Sequence, residues 1–370
     1  MYIVMIKEKK HLKIEFLRNV IVFIFTLLTT LGILVNLSVG SVIGLMKYED
    51  NYHLVKRHIA SVIVGILFYL LVKIISKELL MKYTKTLMVS TLALLIAVKL
   101  EGLTSGGAVR WLTCGPVKCQ PSEFVKIAVI LWIARQTYNY SESQGGIKNL
   151  VQFTFFPILL ALIVLEQPDF GTFVLIIIII GVMLFFSKIS FPLLSISSIV
   201  GLLGLITISV KQPYRLRRID AWQSTCETQA EKLNECWQLL QSKAALGTGG
   251  LFGIGPGNSY SRWGYLPSPH SDMVGSIIGE EYGFFGLFLI TILYSVFILS
   301  LFLFSASSNN DYDKFIRLGF ATWIFIQTAF NLGGIVGLLP ITGIVLPFIS
   351  YGGSAMVVNF IGLGLVLRDK

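Results

Sequence analysis

Long apolar runs separated by short charged connections set the plan of this chain. Runs near 20–45, 58–76, 84–99, 123–139, 150–166, 172–187, 191–210, 283–304, 315–337 and 351–367 come close to the length of about 20 mostly apolar residues that a helix needs to cross a bilayer. The pattern predicts about ten spanning helices in one all-α polytopic domain over residues 1–370, with no separate soluble domain and no internal repeat. With residue 1 placed in the cytoplasm, both termini fall inside. The segments carrying Lys77, Lys82 and Lys85, then Lys148, Lys188, Lys314 and Arg317, and finally Arg368 and Lys370 then also fall inside, as the positive-inside rule requires. The basic N-terminal stretch leads into an apolar run longer than the roughly 7–15 residues of a secretory signal, so it is read as an uncleaved first helix.

Two groups of cations break this charge rule. Lys47, Lys56 and Arg57 sit in the first external loop and are a weak exception. Lys211, Arg215, Arg217 and Arg218 are a stronger one, opening a long external segment over about 211–272. Structureless connections beyond about 12–15 residues are uncommon unless functional or disordered. This one contains Trp222, Trp237 and Trp263 and the stretch "ALGTGGLFGIGPGNSYSRWGYLP", which suits a folded binding surface better than a loose loop.

Composition sharpens the picture. Hydrophobic residues make up 54% and charged residues 14% of the chain, against about 25% charged in ordinary soluble domains, and the mean hydropathy is +0.76. The net charge of +10 follows from positive-inside topology. With no soluble basic domain to hold it, nucleic acid is not an expected partner.

In so apolar a chain, polar residues near the spans need reasons. "QPSEF" at 120–124 and "QPDFG" at 167–171 each place a proline and an acid at a helix start, where proline is tolerated and an acid opposes the positive end of the macrodipole. Capping is thus the plain reading of Glu123. Lys126 follows one turn deeper, and an unpaired ammonium in lipid costs several kcal/mol. A Glu123–Lys126 pair facing the bundle interior accounts for both. Cys114, Cys119, Cys226 and Cys236 all fall on the predicted external side. Of the three pairings open to four cysteines, the local bridges Cys114–Cys119 and Cys226–Cys236 are simplest, with reduced thiols as the alternative. In "YLPSPHSDMVGSIIGEEYGFFG", residues 265–286, His270, Asp272, Glu280 and Glu281 crowd against an apolar run.

Seven stretches taken together resemble the SEDS family (shape, elongation, division and sporulation), the RodA/FtsW-type proteins of bacterial cell-wall synthesis. They are "GGAVRWL", "QPSEFVKIAVI", "EQPDFGT", "PYRLRRI", "QSKAALGTGGLFGIGPG", the 265–286 stretch, and "ITGIVLPFISYGGSAMVVNFIGLGLVL", in family order from about residue 106 to the C-terminus. The resemblance implies a multi-pass protein of the bacterial cytoplasmic membrane that polymerises lipid II into glycan strands by inverting glycosyl transfer, working beside a class B penicillin-binding protein. It implies that Asp272 of His270-Ser271-Asp272 is catalytic and that Arg110, Glu123, Lys126, Asp169, Glu280 and Glu281 are family polar positions. The motifs do not separate elongation, division and sporulation roles. The family usually has Leu-Pro-Glu before the histidine motif, where this chain reads Leu266-Pro267-Ser268-Pro269. Any role of that glutamate is absent here, while Asp272 is kept.

Glycosyl transfer needs a base for the acceptor hydroxyl and charge stabilisation for the diphosphate leaving group. Asp272 suits the first task, since partial burial raises the basicity of a carboxylate. Arg110, Lys126, Arg215, Arg217 and Arg218 are candidates for the second, arginine forks matching phosphate oxygens well. A divalent cation, Mg or Mn, could share that load, but the sequence offers no decisive ligand set. His270 is read as a positioning residue. Glu280 and Glu281 are either neighbours of the reacting groups or, the favoured reading, residues that fix a helix break at "GEEYGFFG". The stretch "LPITGIVLPFISYGG" at 339–353 reads as a re-entrant connection, tolerated only against protein or a water-filled cavity. The competing functions are a flippase for lipid-linked precursors, which intramembrane Lys126 and Asp169 would also suit, and a non-catalytic scaffold for a transpeptidase.

Overall fold

A computed structural model describes residues 2–105, 108–114, 117–139, 147–187, 189–196, 201, 204, 222–223 and 236–368. Three long helices open the chain: α1 (Tyr2–Tyr48), α2 (His53–Ile74) and α3 (Lys77–Glu101). After strands β1 (Leu103–Ser105), β2 (Ala108–Cys114) and β3 (Val117–Cys119) come α4 (Pro121–Asn139), α5 (Ile147–Glu166) and α6 (Phe170–Phe185). The long segment contributes α7 (Trp237–Gly249), and α8 (Val274–Ala306), α9 (Asp311–Val336) and α10 (Gly353–Val366) complete the bundle.

Among the described residues six helices are long and apolar enough to cross a membrane: α1, α2, α3, α5, α8 and α9. α6 and α10 are shorter apolar helices. The apolar run at 123–139 is α4, while most of the run at 191–210 lies outside the described residues.

Local chemistry fixes the helix ends. Ser76 caps α3 by accepting from the Leu79 N–H, and Asn310 caps α9 by accepting from that of Tyr312. Pro121 takes the first position of α4, where a missing N–H costs nothing. The outer surface is apolar, with Phe16, Phe23, Leu70 and Leu299 all exposed. The interior holds Asn36, Glu123, Lys126, Gln327 and Asn359. This inversion fits a protein whose surroundings are hydrocarbon.

The helical plan is interrupted in one place. Residues 103–119 contain a small antiparallel sheet in the order β1-β2-β3, pairing Thr104 with Val109 and Thr113 with Lys118. The segment is rich in β-branched residues and is too short and polar to span a bilayer. The same register corrects the proposed Cys114–Cys119 bridge. Cys114 lies opposite Val117 and Cys119 opposite Leu112, a diagonal relation that sets the two Cα atoms about 7–8 Å apart, beyond disulfide reach. Cys119 accordingly is not part of a disulfide. Cys236 is disulfide-bonded and fully buried; Cys226, its expected partner, lies outside the described residues.

α8 is broken where its sequence reads "EEYGFFG". Gly283 has φ 69° and ψ −167° inside the helix, a left-handed backbone that favours glycine. The groups freed by the break are taken up by residues 250–255. Ile254 and Gly255 donate to the carbonyls of Glu280 and Glu281 at 3.1 and 3.0 Å, and Phe284 and Phe285 donate to those of Gly250 and Leu251 at 2.8 and 3.2 Å. A Cβ on Gly283 would lie 2.4 Å from the Gly253 nitrogen. The described part of the long segment is therefore folded onto the bundle rather than loose.

Candidate active site

The site is built where α7, α8, α9 and the connection 337–352 meet. Asp272 stands just before the first turn of α8, where the positive end of the helix dipole favours a carboxylate. It is partly exposed. Gln238, in the first turn of α7, donates to its Oδ2 at 3.3 Å, and the Ser271 hydroxyl donates to its Oδ1 at 3.0 Å. The backbone beneath is clamped at successive carbonyls. The Tyr351 N–H donates to His270 O at 2.8 Å, Ser350 Oγ to Ser271 O at 2.5 Å, and Asn331 Nδ2 to Asp272 O at 2.8 Å. The motif's position is therefore set by α9 and by the non-helical connection, which runs beside it as expected for "LPITGIVLPFISYGG".

His270 is mostly buried and its ring centroid lies 5.6 Å from that of Tyr351. Burial, reinforced by the positive charge of Lys47, pushes its pKa down to about 4. The imidazole is neutral at pH 7, consistent with positioning rather than with binding an anion by charge. Arg57 lies near the Tyr351 hydroxyl, whose pKa burial raises against the influence of that positive charge. Lys47 and Arg57, the weak exceptions to the charge rule, thus sit beside the His270–Tyr351 pair. Sequence reasoning missed them as site residues, although their position on the external side was the available signal.

A second cluster surrounds Asp169. It caps α6 by accepting from the Thr172 N–H and receives bonds from Ser122 Oγ at 3.1 Å and Gln120 Nε2 at 3.3 Å. Arg110 on β2 approaches it to 4.0 Å, and the same guanidinium donates to the carbonyls of Gln167 and Pro168. Arg110 is engaged in holding the α5–α6 corner.

The third cluster is the expected pair. Lys126 Nζ lies 2.7 Å from Glu123 Oε2, 3.4 Å from Gln327 Oε1 and 4.4 Å from the centre of the Trp323 ring. Lys126 is only 1% exposed. The clusters are joined. Gln327 also donates to Val345 O and Asn331 to Ile344 O, each at 2.8 Å, so the connection that clamps 270–272 is tied to the Lys126 pair.

Glu280 and Glu281 are each 1% exposed. Glu280 accepts from Ser259 Oγ and from the N–H groups of Tyr260 and Ser261, both at 3.3 Å. Glu281 accepts from Ser38 Oγ at 2.6 Å. They fix the loop and the helix break, the reading the sequence favoured. Arg215, Arg217 and Arg218 lie outside the described residues. Among the described residues no group of three or more His, Cys, Asp or Glu side chains is arranged to hold a metal ion.

Comparison with known proteins agrees with this architecture. The family model of the FtsW, RodA and SpoVE cell cycle proteins matches residues 18–369. A probable peptidoglycan glycosyltransferase FtsW from Wigglesworthia glossinidia brevipalpis is 31% identical over 98% of this chain and 95% of its own length. Stage V sporulation protein E from Bacillus subtilis is 32% identical, over 94% and 95%. A chain in the structure of a peptidoglycan synthase complex that coordinates polymerization and crosslinking superposes with a TM-score of 0.74 at 25% identity, covering 94% of this chain and 96% of that one. The rod shape determining protein RodA of Thermus thermophilus shares the fold with a TM-score of 0.68 at 24% identity, over 95% and 97%. A match that runs from the first spanning helix to the last, with the 270–272 motif clamped at the head of α8, makes this chain a member of the FtsW/RodA/SpoVE family.

Proposed function

We propose that this multi-pass protein of the bacterial cytoplasmic membrane is a peptidoglycan glycosyltransferase that polymerises lipid II, with Asp272 as general base. The observation that carries the assignment of the base is the clamped, partly exposed carboxylate at the head of α8. Its two oxygens are oriented by Gln238 and Ser271, and its backbone is fixed by Tyr351, Ser350 and Asn331. Such a group is in place to take the proton from an acceptor sugar hydroxyl as that oxygen attacks the anomeric carbon and the diphosphate departs. One base suffices for a single inverting displacement, and a positioned carboxylate contributes about 10²–10⁴-fold. Lys47 and Arg57 supply positive charge on the same side of the bundle, where a departing diphosphate would need it.

The partner class that fits is a transpeptidase of the class B penicillin-binding type, supported by the relative whose structure is that of a complex for polymerization and crosslinking. Purified protein given labelled lipid II should form glycan polymer. A well-folded protein that forms none, alone or with its transpeptidase, would reject the enzyme assignment and move the flippase and scaffold readings ahead.

A further inference from the structure

The end of the bundle remote from Asp272 carries a cleft that the proposed reaction does not use. α8 runs away from Asp272, and α9 begins at its far end with Asp311 and Tyr312. There a cavity of about 410 Å³ opens between the start of α3 and the end of α4, with Lys77, Lys82 and Arg135 in its wall and Glu78 as its one acid. Lys77 Nζ sits 3.7 Å above the Tyr138 ring and 5.9 Å from that of Tyr312. Arg135 is half-buried, and its Nη1 is shielded from solvent with no hydrogen-bond partner. Leaving a guanidinium N–H so shielded and unbonded is costly, which points to a ligand that supplies an acceptor.

A second cavity of about 470 Å³ lies one to two turns deeper along the same two helices and against α5. Lys85 and Gln136 stand at its polar edge, and Met88, Trp132, Phe155 and Phe156 form its apolar wall. Gln152 and Gln136 bond to each other at 3.4 Å, closing the polar side. Positions 78, 82, 85 and 89 on α3 and 132, 136 and 139 on α4 line the two cavities at helical spacing, so the cavities share one face of each helix and belong to one groove between them.

We infer that this groove binds an acidic phospholipid of the leaflet facing that end of the bundle. The headgroup phosphate would be received by Lys77, Lys82 and Arg135, and an acyl chain would lie along Met88, Trp132 and Phe155. Three cations against one carboxylate set the sign of the headgroup. The apolar groove continuous with them distinguishes a lipid from a free anion. By the positive-inside rule this end faces the cytoplasm, where anionic lipids concentrate and basic pockets between membrane helices hold their headgroups. The site lies on the opposite face from Asp272, so it is separate from the catalytic assignment and stands or falls without it.

Delipidated protein in detergent, incubated with equimolar phosphatidylglycerol and phosphatidylcholine, tests this by native mass spectrometry. One phosphatidylglycerol should be retained preferentially, and each cation removed should weaken retention about fivefold, so Lys82→Gln with Arg135→Gln loses about 25-fold. Should Arg135→Gln fail to fold, Lys77→Gln with Lys82→Gln, two changes near the surface, decides the matter by the same ratio. Millimolar inorganic phosphate should not displace the lipid. Equal retention of the two lipids, retention unchanged in both double variants, or displacement by phosphate alone overturns the inference.

Discussion

Asp272 and Glu280 stand on the same side of the break in α8, both carboxylates, and the protein uses them in opposite ways. Glu280 is 1% exposed and is consumed by Ser259, Tyr260 and Ser261. Asp272 is partly exposed, and much of the protein's investment goes into the backbone that carries it, gripped at three successive carbonyls. The lesson is that an acid beside a membrane helix shows its role by what is immobilised. Where the carboxylate oxygens are saturated by the protein's own donors, the acid builds structure. Where the main chain is held and the carboxylate reaches the surface, it is available for chemistry.

Paired substitutions test that division most severely. Asp272→Asn should reduce polymerisation of lipid II by roughly 10²–10⁴-fold with an unchanged thermal midpoint. Glu280→Ala should do the reverse, lowering stability by about 1–3 kcal/mol for each donor it strands while folded molecules keep much of their turnover. Loss of folding in the first variant, or loss of turnover without loss of stability in the second, would collapse the distinction.

A smaller effect is expected at the break that follows both acids. Gly283→Ala must place a Cβ 2.4 Å from the Gly253 nitrogen at φ 69°, a strain of order 1–3 kcal/mol. Hydrogen exchange should rise at residues 250–255, whose bonds to α8 depend on that backbone. Unaltered protection there would show that the loop does not rely on the break.

The smallest effect concerns pH. His270 has a folded pKa of about 4 against an ordinary 6.5. The unfolded chain therefore binds the extra proton first, so this contribution to stability is full above about 6.5 and is lost as pH falls toward 4. Thermal midpoints measured between those limits should fall more steeply for the native protein than for His270→Asn. Parallel slopes would remove His270 from the acid response.

Much of this was legible in the sequence because short-range rules govern it. The Glu123–Lys126 pair follows from one turn of helix and the cost of an ammonium in lipid. The break at "GEEYGFFG" follows from glycines and acids interrupting an apolar run. What stayed hidden is non-local. Nothing in the chain order says that residues 250–255 will pair with the interrupted helix, or that Arg57 will meet Tyr351. The candidacy of Arg110 rested on charge, and its contacts to the carbonyls of the α5–α6 corner are likewise non-local. The β1–β3 sheet escaped because hydropathy averaged over long windows does not resolve strands of three to seven residues.

The attachment of α7 has a mechanical consequence. Its first turn reaches Asp272 through Gln238, its middle is bonded to α8 and α9 by Ser242 with Ser276 Oγ and Ile335 O, each at 2.7 Å, and the loop after it is zipped to the break in α8. A Cβ on Gly249 would fall 2.0 Å from the Gly279 carbonyl oxygen, so the two helices touch backbone to backbone. α7 is a strut pinned at both ends to one beam, a triangulated frame that resists shear without needing thickness. A load applied at residues 250–255 is therefore shared between α7 and the broken α8 rather than borne by the loop alone.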